Sequence, residues 1–465
     1  MKNKNKTLVF DLGKTHIKAL LFNSVGVIIE EYYQKHKYIS KQKNLKYIQV
    51  DKIFNKILYI LKQISNSNQI DKIIFATHAA TAICITNEEK GNYLPVLDYE
   101  NNFNQDFEKK YLKNQKCSFL ETLTPVLPNN ILLSKTIYYY IENIKKNKLT
   151  IKSIIFYPQY FAWKLSGIKS SEITYLGCHS DLWSFKEKKF SSFVFNNKIQ
   201  KKIPKITKSW KNLGPVKKEI VEKTNIYAGC RIYCGLHDSN ASYYLYEKFF
   251  KQSFTLISTG TWIVIFNKQM NLNLLTDKDE MMAKLNVFGQ PIPVIRFMGG
   301  REFEKIIKGY LPDKKIRMDF NYLLRKKIFP LPSFAESGPF RRLKGKIINK
   351  KLIRSKDDLY NLGSLYIALV IDNCLELMHS KNTIIIDGGF IKNKTFLYCL
   401  SVLRKKQKIM INNNSNGTAI GAYLLCNKKI NFILDLKKIS KNINTSILKY
   451  KYEWQRLIFN VNNKS

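Results

Sequence analysis

Residues 7–22 read TLVFDLGKTHIKALLF, and residues 254–266 read FTLISTGTWIVIF. Each is an apolar run, a short polar turn around one glycine, and a second apolar run. That pattern predicts two antiparallel strands joined by a tight turn. A third run after Gly26 extends the first unit into a meander. The same local grammar, half a chain apart, predicts a duplicated fold with a sheet in each half.

Working outward, residues 52–64 place Ile53, Ile57, Leu58, Leu61 and Ile64 on one helical face, and residues 73–77 make a buried strand. Helices are predicted over 130–144 and 157–165. Residues 229–235 read as a strand that stops at Gly235, with a helix from about Asp238. In the second half, residues 360–379 form a long apolar-periodic helix and residues 383–387 a strand. A short strand over 409–411 and a helix over 418–425 follow. The domain boundaries expected are 1–248, 249–430 and a Lys/Asn-rich extension over 431–465.

The chain has 465 residues, too many for one ordinary core, and 45% of them are hydrophobic. Its 78 basic against 35 acidic residues give a formal charge of +43. Charge alone points to nucleic acid or another anionic surface. The lysines, however, recur along the whole chain, as in 2–6, 145–148, 201–208, 346–351 and 437–441. A drift toward lysine fits that spread better than a reading face. Eight cysteines occur with no CxxC pair, which suits reduced thiols in a cytoplasmic protein. The opening run is broken at Asp11, so neither a signal peptide nor a membrane span is expected.

Four segments carry chemistry. In DLGKTHIK, Asp11 ends a strand, and Gly13, Lys14, Thr15 and Lys18 follow; a glycine turn with amide, hydroxyl and ammonium donors can cradle phosphate. The carboxylate of Asp11 suits Mg²⁺, which prefers oxygen and keeps waters. In STGTW, Ser258, Thr259 and Thr261 surround Gly260, a second such turn or a self-satisfied hairpin. In GLHDSNAS (235–242), Asp238 starts a helix, where a carboxylate can be an N-cap or a base, with His237 beside it. In IIIDGGFIKNKTF (384–396), Gly388 and Gly389 let backbone approach a flat ring, and Asn393 can offer an amide. Neither a Walker lysine loop nor GxGxxG occurs.

Together, in this order, the segments resemble the FGGY carbohydrate kinases, of the wider group of sugar kinases, heat-shock chaperones and actins. NGTAIGAYLL (416–425) adds to the nucleotide-side resemblance. ATHAATAICI (76–85), LPVLDYE (94–100), YPQYFAWKLSG (157–167) and TYLGCHSDLW (174–183) resemble a xylulose/rhamnulose/fuculose-type branch. The resemblance implies two ribonuclease H-like α/β domains, each with a mixed sheet flanked by helices and an active-site cleft between them. It implies ATP and Mg²⁺, a small sugar substrate, no specific nucleic acid and no membrane, and it leaves a homodimer open. It makes Asp238 the catalytic base and Asp11 the metal-facing aspartate. Gly13, Lys14, Thr15 and Lys18 fall on the first phosphate loop, and Ser258, Thr259, Gly260 and Thr261 on the second. Gly388, Gly389 and Asn393 fall on the nucleotide side, and His78, Asp98 and His237 on the sugar side. The sequence departs from the family at Lys14, where Thr or Ser is common, at His16, and at Ala79, where glycine is frequent. A nucleotide-binding relative without turnover is the alternative within the fold; a basic nucleic-acid-binding protein is the alternative outside it.

Overall fold

The computed structural model describes residues 5–36, 38–42, 44–87, 91–147, 150–312, 316–413, 416–430 and 432–462. The lysine runs 2–6 and 145–148 therefore lie partly outside the described residues, as do the ends of the 431–465 segment. Along the chain come β1 (Thr7–Leu12), β2 (His16–Phe22), β3 (Ile28–Lys35), α1 (Val50–Ser65) and β4 (Lys72–Thr77). Then follow α2 (Tyr157–Ser166), α3 (Ile173–Leu176), β5 (Asn212–Pro215), β6 (Arg231–Tyr233), β7 (Leu236–His237) and α4 (Asp238–Phe249). The second half runs through β8 (Phe254–Thr259), β9 (Ile263–Phe266), β10 (Met282–Leu285), β11 (Pro291–Phe297), α5 (Gly299–Ile307) and α6 (Lys356–Leu377). It ends with β12 (Thr383–Gly388), α7 (Lys394–Leu403), β13 (Ile409–Asn412), α8 (Gly417–Cys426), β14 (Leu436–Lys438) and α9 (Thr445–Asn462).

Contacts divide the chain into two units. The first is Met1–Phe249 with Ala283–Pro291 and Asn416–Ile433; the second is Phe250–Met282, Ile292–Ser415 and Leu434–Ser465. The first is built on a mixed sheet of order β5-β6-β4-β1-β2-β3, with β7 also paired to β4. The β1–β2 pair is antiparallel and the β1–β4 pair parallel. The sheet of the second unit has the order β11-β9-β8-β12-β13-β14. There β8–β9 is antiparallel and β8–β12 parallel. Each half thus repeats one antiparallel pair flanked by a parallel strand, the duplication that the two echoing segments predict.

The helix α1 buries Ile53, Ile57, Leu61 and Ile64 as its periodicity requires, together with Val50, Phe54 and Ile60. The helix expected over 130–144 instead runs Leu133–Asn147. The strand expected over 229–235 is split. It breaks at Gly235, whose φ of +81° and close approach to the Phe75 carbonyl, 2.5 Å from a notional Cβ, make a kink that only glycine permits. Pairing then resumes at Leu236–His237. Trp262 sits in the turn, and β9 starts one residue later.

The Lys/Asn-rich last segment adds β14 to the edge of the second sheet, beside β13. Its helix α9 buries Ile447, Tyr450 and Trp454. All eight cysteines are buried free thiols. Among the described residues no helix is long and apolar enough to cross a membrane.

Candidate functional site

Register brings the site residues of the first unit together. Leu12 pairs with Thr77 across β1 and β4, and Thr77 pairs with His237 across β4 and β7. The chain leaves all three strands at one edge of the sheet. There Asp11 and the Gly13 turn, His78, and Asp238 all emerge. Parallel strands present their carboxyl ends, and the loops that follow them, on the same side.

Gly13 closes the first turn by donating its N–H to the His16 carbonyl at 3.0 Å. Asp11 is half-buried; burial raises its carboxyl above the usual range, while the Lys18 ammonium, in the paired position on β2, pulls it down. Thr15 is exposed, its hydroxyl 2.8 Å from His16 Nδ1. Lys14 turns elsewhere. Its ammonium lies 2.9 Å from both Asp98 and Glu100 and 4.4 Å from the centre of the Tyr99 ring.

Asp238 opens α4 with its side chain 30% exposed. Burial, and next the nearby Asp11 carboxylate, push its carboxyl up to about 7; Lys284 and the Ser239 N–H pull the other way. Its neighbour His237 is buried and fixed by donor logic. The Leu285 carbonyl can only accept, and the Asn240 amide nitrogen donates to it at 2.6 Å. Asn240 Oδ1 therefore faces His237 Nδ1, at 2.7 Å, and Nδ1 carries a proton. The other ring nitrogen, Nε2, is 3.0 Å from Asp238 Oδ1. With Asp238 ionised, that contact is a hydrogen bond when Nε2 carries a proton as well; Ser239 Oγ also lies near this ring, 3.1 Å from Nδ1 and 3.4 Å from Nε2.

His78 donates its Nδ1–H to the Ala79 carbonyl at 3.0 Å, which leaves Nε2 as an acceptor. Burial drives its pKa down to about 4, so the ring is neutral at pH 7. Its ring meets those of Tyr99 (5.4 Å between centroids) and Tyr157 (4.8 Å). Asp98 is 1% exposed, and its Oδ1 takes both Lys14 Nζ and the Glu100 N–H, the latter at 2.6 Å. Asp98 raises His78 and Tyr157 through its charge, which places all three side chains in one neighbourhood.

In the second unit, Thr259 pairs with Gly388 across β8 and β12. The Thr259 hydroxyl is committed within the fold: it donates to the Asp387 carbonyl at 2.6 Å and accepts the Phe390 N–H at 3.1 Å. A Cβ on Gly388 would lie 1.9 Å from the Thr259 carbonyl oxygen, so only glycine fits there. Gly260 and Thr261 are exposed and Ser258 half-buried. Gly389 is also exposed, with nothing within 4 Å of its Cβ direction. Asn393 is buried, and both ends of its amide have partners: Oδ1 caps α7 by accepting the Phe396 N–H at 2.9 Å, and Nδ2 donates to Ser364 at 2.9 Å. It holds a helix start rather than reaching outward.

Family models match both halves. The N-terminal domain of the FGGY family of carbohydrate kinases covers residues 6–244, and the carbohydrate kinase FGGY C-terminal domain covers residues 251–432. The chain belongs to the FGGY family of carbohydrate kinases. It is a sugar kinase, and ATP use follows from that membership. Solved structures share the fold. A carbohydrate kinase from Novosphingobium aromaticivorans is 24% identical with a TM-score of 0.83, over 98% of this chain and 99% of that one. A xylulose kinase from Lactobacillus acidophilus is 15% identical with a TM-score of 0.79, over 99% and 98%. A Plasmodium falciparum glycerol kinase with ADP is 14% identical with a TM-score of 0.77, over 98% of each chain. No curated protein matches the sequence significantly.

Three features of this FGGY kinase escape the sequence reading. Lys284 is 2% exposed and donates to Ser239 Oγ at 3.1 Å, beside Asp238. Its only signal is one lysine in the otherwise apolar-flanked MMAKL, 46 positions past the base. Asn240 stands inside GLHDSNAS three residues after His237, where its spacing allows a contact but does not demand one. Gly300 packs so tightly under the second turn that its Cβ would lie 2.3 Å from the Gly260 carbonyl oxygen, which seats the start of α5 against that turn.

Proposed function

We propose that this kinase transfers the γ-phosphoryl group of ATP to a hydroxyl of a small ketose, a pentulose or 6-deoxyhexulose, with Asp238 as general base. The observation that carries the proposal is the state of Asp238: partly exposed at the strand ends, with a carboxyl near 7, where a base is most effective at neutral pH. Oδ1 is engaged by His237, so the outer oxygen Oδ2 takes the hydroxyl proton. The sugar oxygen then bonds to the γ-phosphorus as the bond to the ADP oxygen breaks, and ADP leaves with that electron pair. His237 acts in this step by holding the carboxylate in place.

Within the first unit the turn at Gly13, with Thr15 and Lys18, offers donors suited to phosphate; within the second, Ser258, Gly260 and Thr261 offer donors of the same kind. Thr259 and Asn393 support the elements that present those donors and Gly388-Gly389. A magnesium ion fits the donor set, because it needs one or two carboxylates and otherwise water and phosphate oxygens. Among the described residues no three His, Cys, Asp or Glu side chains gather into a metal cage, and none is required. Asp11 would hold the ion through water, and the ion would neutralise phosphate charge.

The acceptor class rests on His78, Asp98 and Tyr157, an imidazole acceptor, a carboxylate and a phenol suited to neighbouring hydroxyls. The fold is also that of the xylulose kinase named above. The test is an ADP-release assay with D-xylulose, L-ribulose, L-rhamnulose, L-fuculose, D-fructose, glycerol and erythritol, beside Asp98→Ala. One ketulose should lead by at least about tenfold in kcat/KM. Asp98→Ala should erode that lead while ATP affinity holds. Glycerol leading the panel, or an unchanged preference in the variant, would refute the ketose assignment.

A further inference from the structure

From its position in the first turn, Lys14 reads as a phosphate ligand. The structure gives its ammonium different partners. It sits 2.9 Å from Asp98 Oδ1 and 2.9 Å from Glu100 Oε2, above the ring of the residue between them. Three consecutive side chains, Asp98, Tyr99 and Glu100, therefore hold one cation. Lys46 approaches the same Glu100 carboxylate at 3.8 Å but is more exposed.

We propose that Lys14 is a positioning residue for the sugar subsite, orienting Asp98 for the acceptor hydroxyl. The inference rests on the ketose kinase reading and adds to it the residue that sets the geometry of the carboxylate. Asp98 is almost wholly buried, so its charge needs a partner, and Lys14 supplies the cation. The ammonium and the Glu100 N–H both bind Oδ1. With that oxygen pinned from two sides, the carboxylate cannot rotate, and Oδ2 is the oxygen that meets the sugar. Tyr99 couples the clasp to the rest of the subsite, since the ring under Lys14 also meets the edge of His78. Lys14 bridges two carboxylates and Lys46 stands 3.8 Å from the second of them, so the clasp carries little net charge, which suits a neutral polyol. A lysine in the turn after β1 thereby serves the segment Asp98–Glu100, which follows the short strand Val96–Leu97.

The test is steady-state kinetics of Lys14→Met, Lys14→Arg and Glu100→Gln. The acceptor is whichever of D-xylulose, L-ribulose, L-rhamnulose and L-fuculose the wild type uses best. Lys14→Met should raise the KM for that ketose about tenfold or more, because a charged hydrogen bond that orients the binding group is lost. Its KM for ATP should stay at the wild-type value. Lys14→Arg should restore most of the ketose KM, since a guanidinium can bridge two carboxylates. Glu100→Gln should move the ketose KM in the same direction by less, and it decides the question if Lys14→Met fails to fold. A raised ATP KM with an unchanged ketose KM would make Lys14 a phosphate ligand and overturn the proposal. A lowered melting temperature with both KM values unchanged would make the clasp purely structural and overturn it equally. A wild type that phosphorylates none of the four would instead defeat the ketose assignment itself, and this inference with it.

Discussion

The ionisation of Asp238 dictates a pH dependence. The carboxyl must be ionised to take a proton, and burial with the Asp11 charge raises it to about 7. Activity should therefore fall as pH drops through about 7, and a kcat/KM profile measures it. Lys284 pulls the same carboxyl down. Lys284→Met should move the acidic limb to higher pH; a limb that stays put would remove Lys284 from the environment of the base. At this scale the sequence is legible where local chemistry suffices: an aspartate at a strand-to-helix junction, a glycine between strands. It is silent where the partner is remote. The Thr259 hydroxyl looks like any hydroxyl beside a glycine, yet its partner is the Asp387 carbonyl, 128 positions away. Lys14 looks like a phosphate donor, yet its partner Asp98 is 84 positions away. Asn393 looks like an outward amide until Ser364 and the α7 cap account for both its ends.

Helices and strands carry two further expectations. Gly388 has φ of +92° and a Cβ direction that runs into the Thr259 carbonyl. Gly388→Ala should cost about 3 kcal/mol or more, strain and overpacking acting together, and should lower the midpoint of a urea transition. Gly389→Ala, with open space around it, should stay within about 0.5 kcal/mol of wild type in the same experiment. Equal losses at the two positions would contradict the close β8–β12 approach.

The second expectation concerns Glu172, which is fully buried at the start of α3 and accepts from Thr174 N and Oγ1, Tyr175 N and Ser209 Oγ. Burial nevertheless raises it from 4.5 to about 7. Between those values the folded state keeps a proton that the unfolded chain has released. Stability must then fall as pH rises through that window and level off above it. Glu172→Gln should flatten the change in melting temperature between pH 5 and 7 relative to wild type; an identical slope would show that Glu172 does not titrate there. Periodicity makes α1 and α6 readable in the sequence, because one apolar stripe suffices to define them. The break at Gly235 is not readable that way, since it answers to the Phe75 carbonyl on a neighbouring strand.

For the whole molecule, the duplication is legible in two strand–turn–strand echoes, and the structure repeats the same antiparallel-plus-parallel arrangement in both sheets. The return of Ala283–Pro291 and Asn416–Ile433 to the first unit is not legible. It depends on tertiary contacts such as that of Gly421 with Ala241, where a Cβ would lie 1.9 Å from a carbonyl oxygen as α8 packs on α4. The +43 charge acts at this scale too. Spread along the chain, it should give DNA or RNA binding that is weak, indifferent to sequence and gone by physiological salt. A tight complex with one preferred sequence at that salt, seen by fluorescence anisotropy, would contradict this. The account stands most directly on Asp238, and the measurement is ketose-dependent ADP release by wild type and Asp238→Asn, with ATP binding followed by calorimetry on the same samples. Asparagine keeps the shape of the helix start but takes no proton. The account predicts a fall in kcat of about 10²- to 10⁴-fold with ATP affinity retained. A folded Asp238→Asn that turns over at the wild-type rate would contradict it.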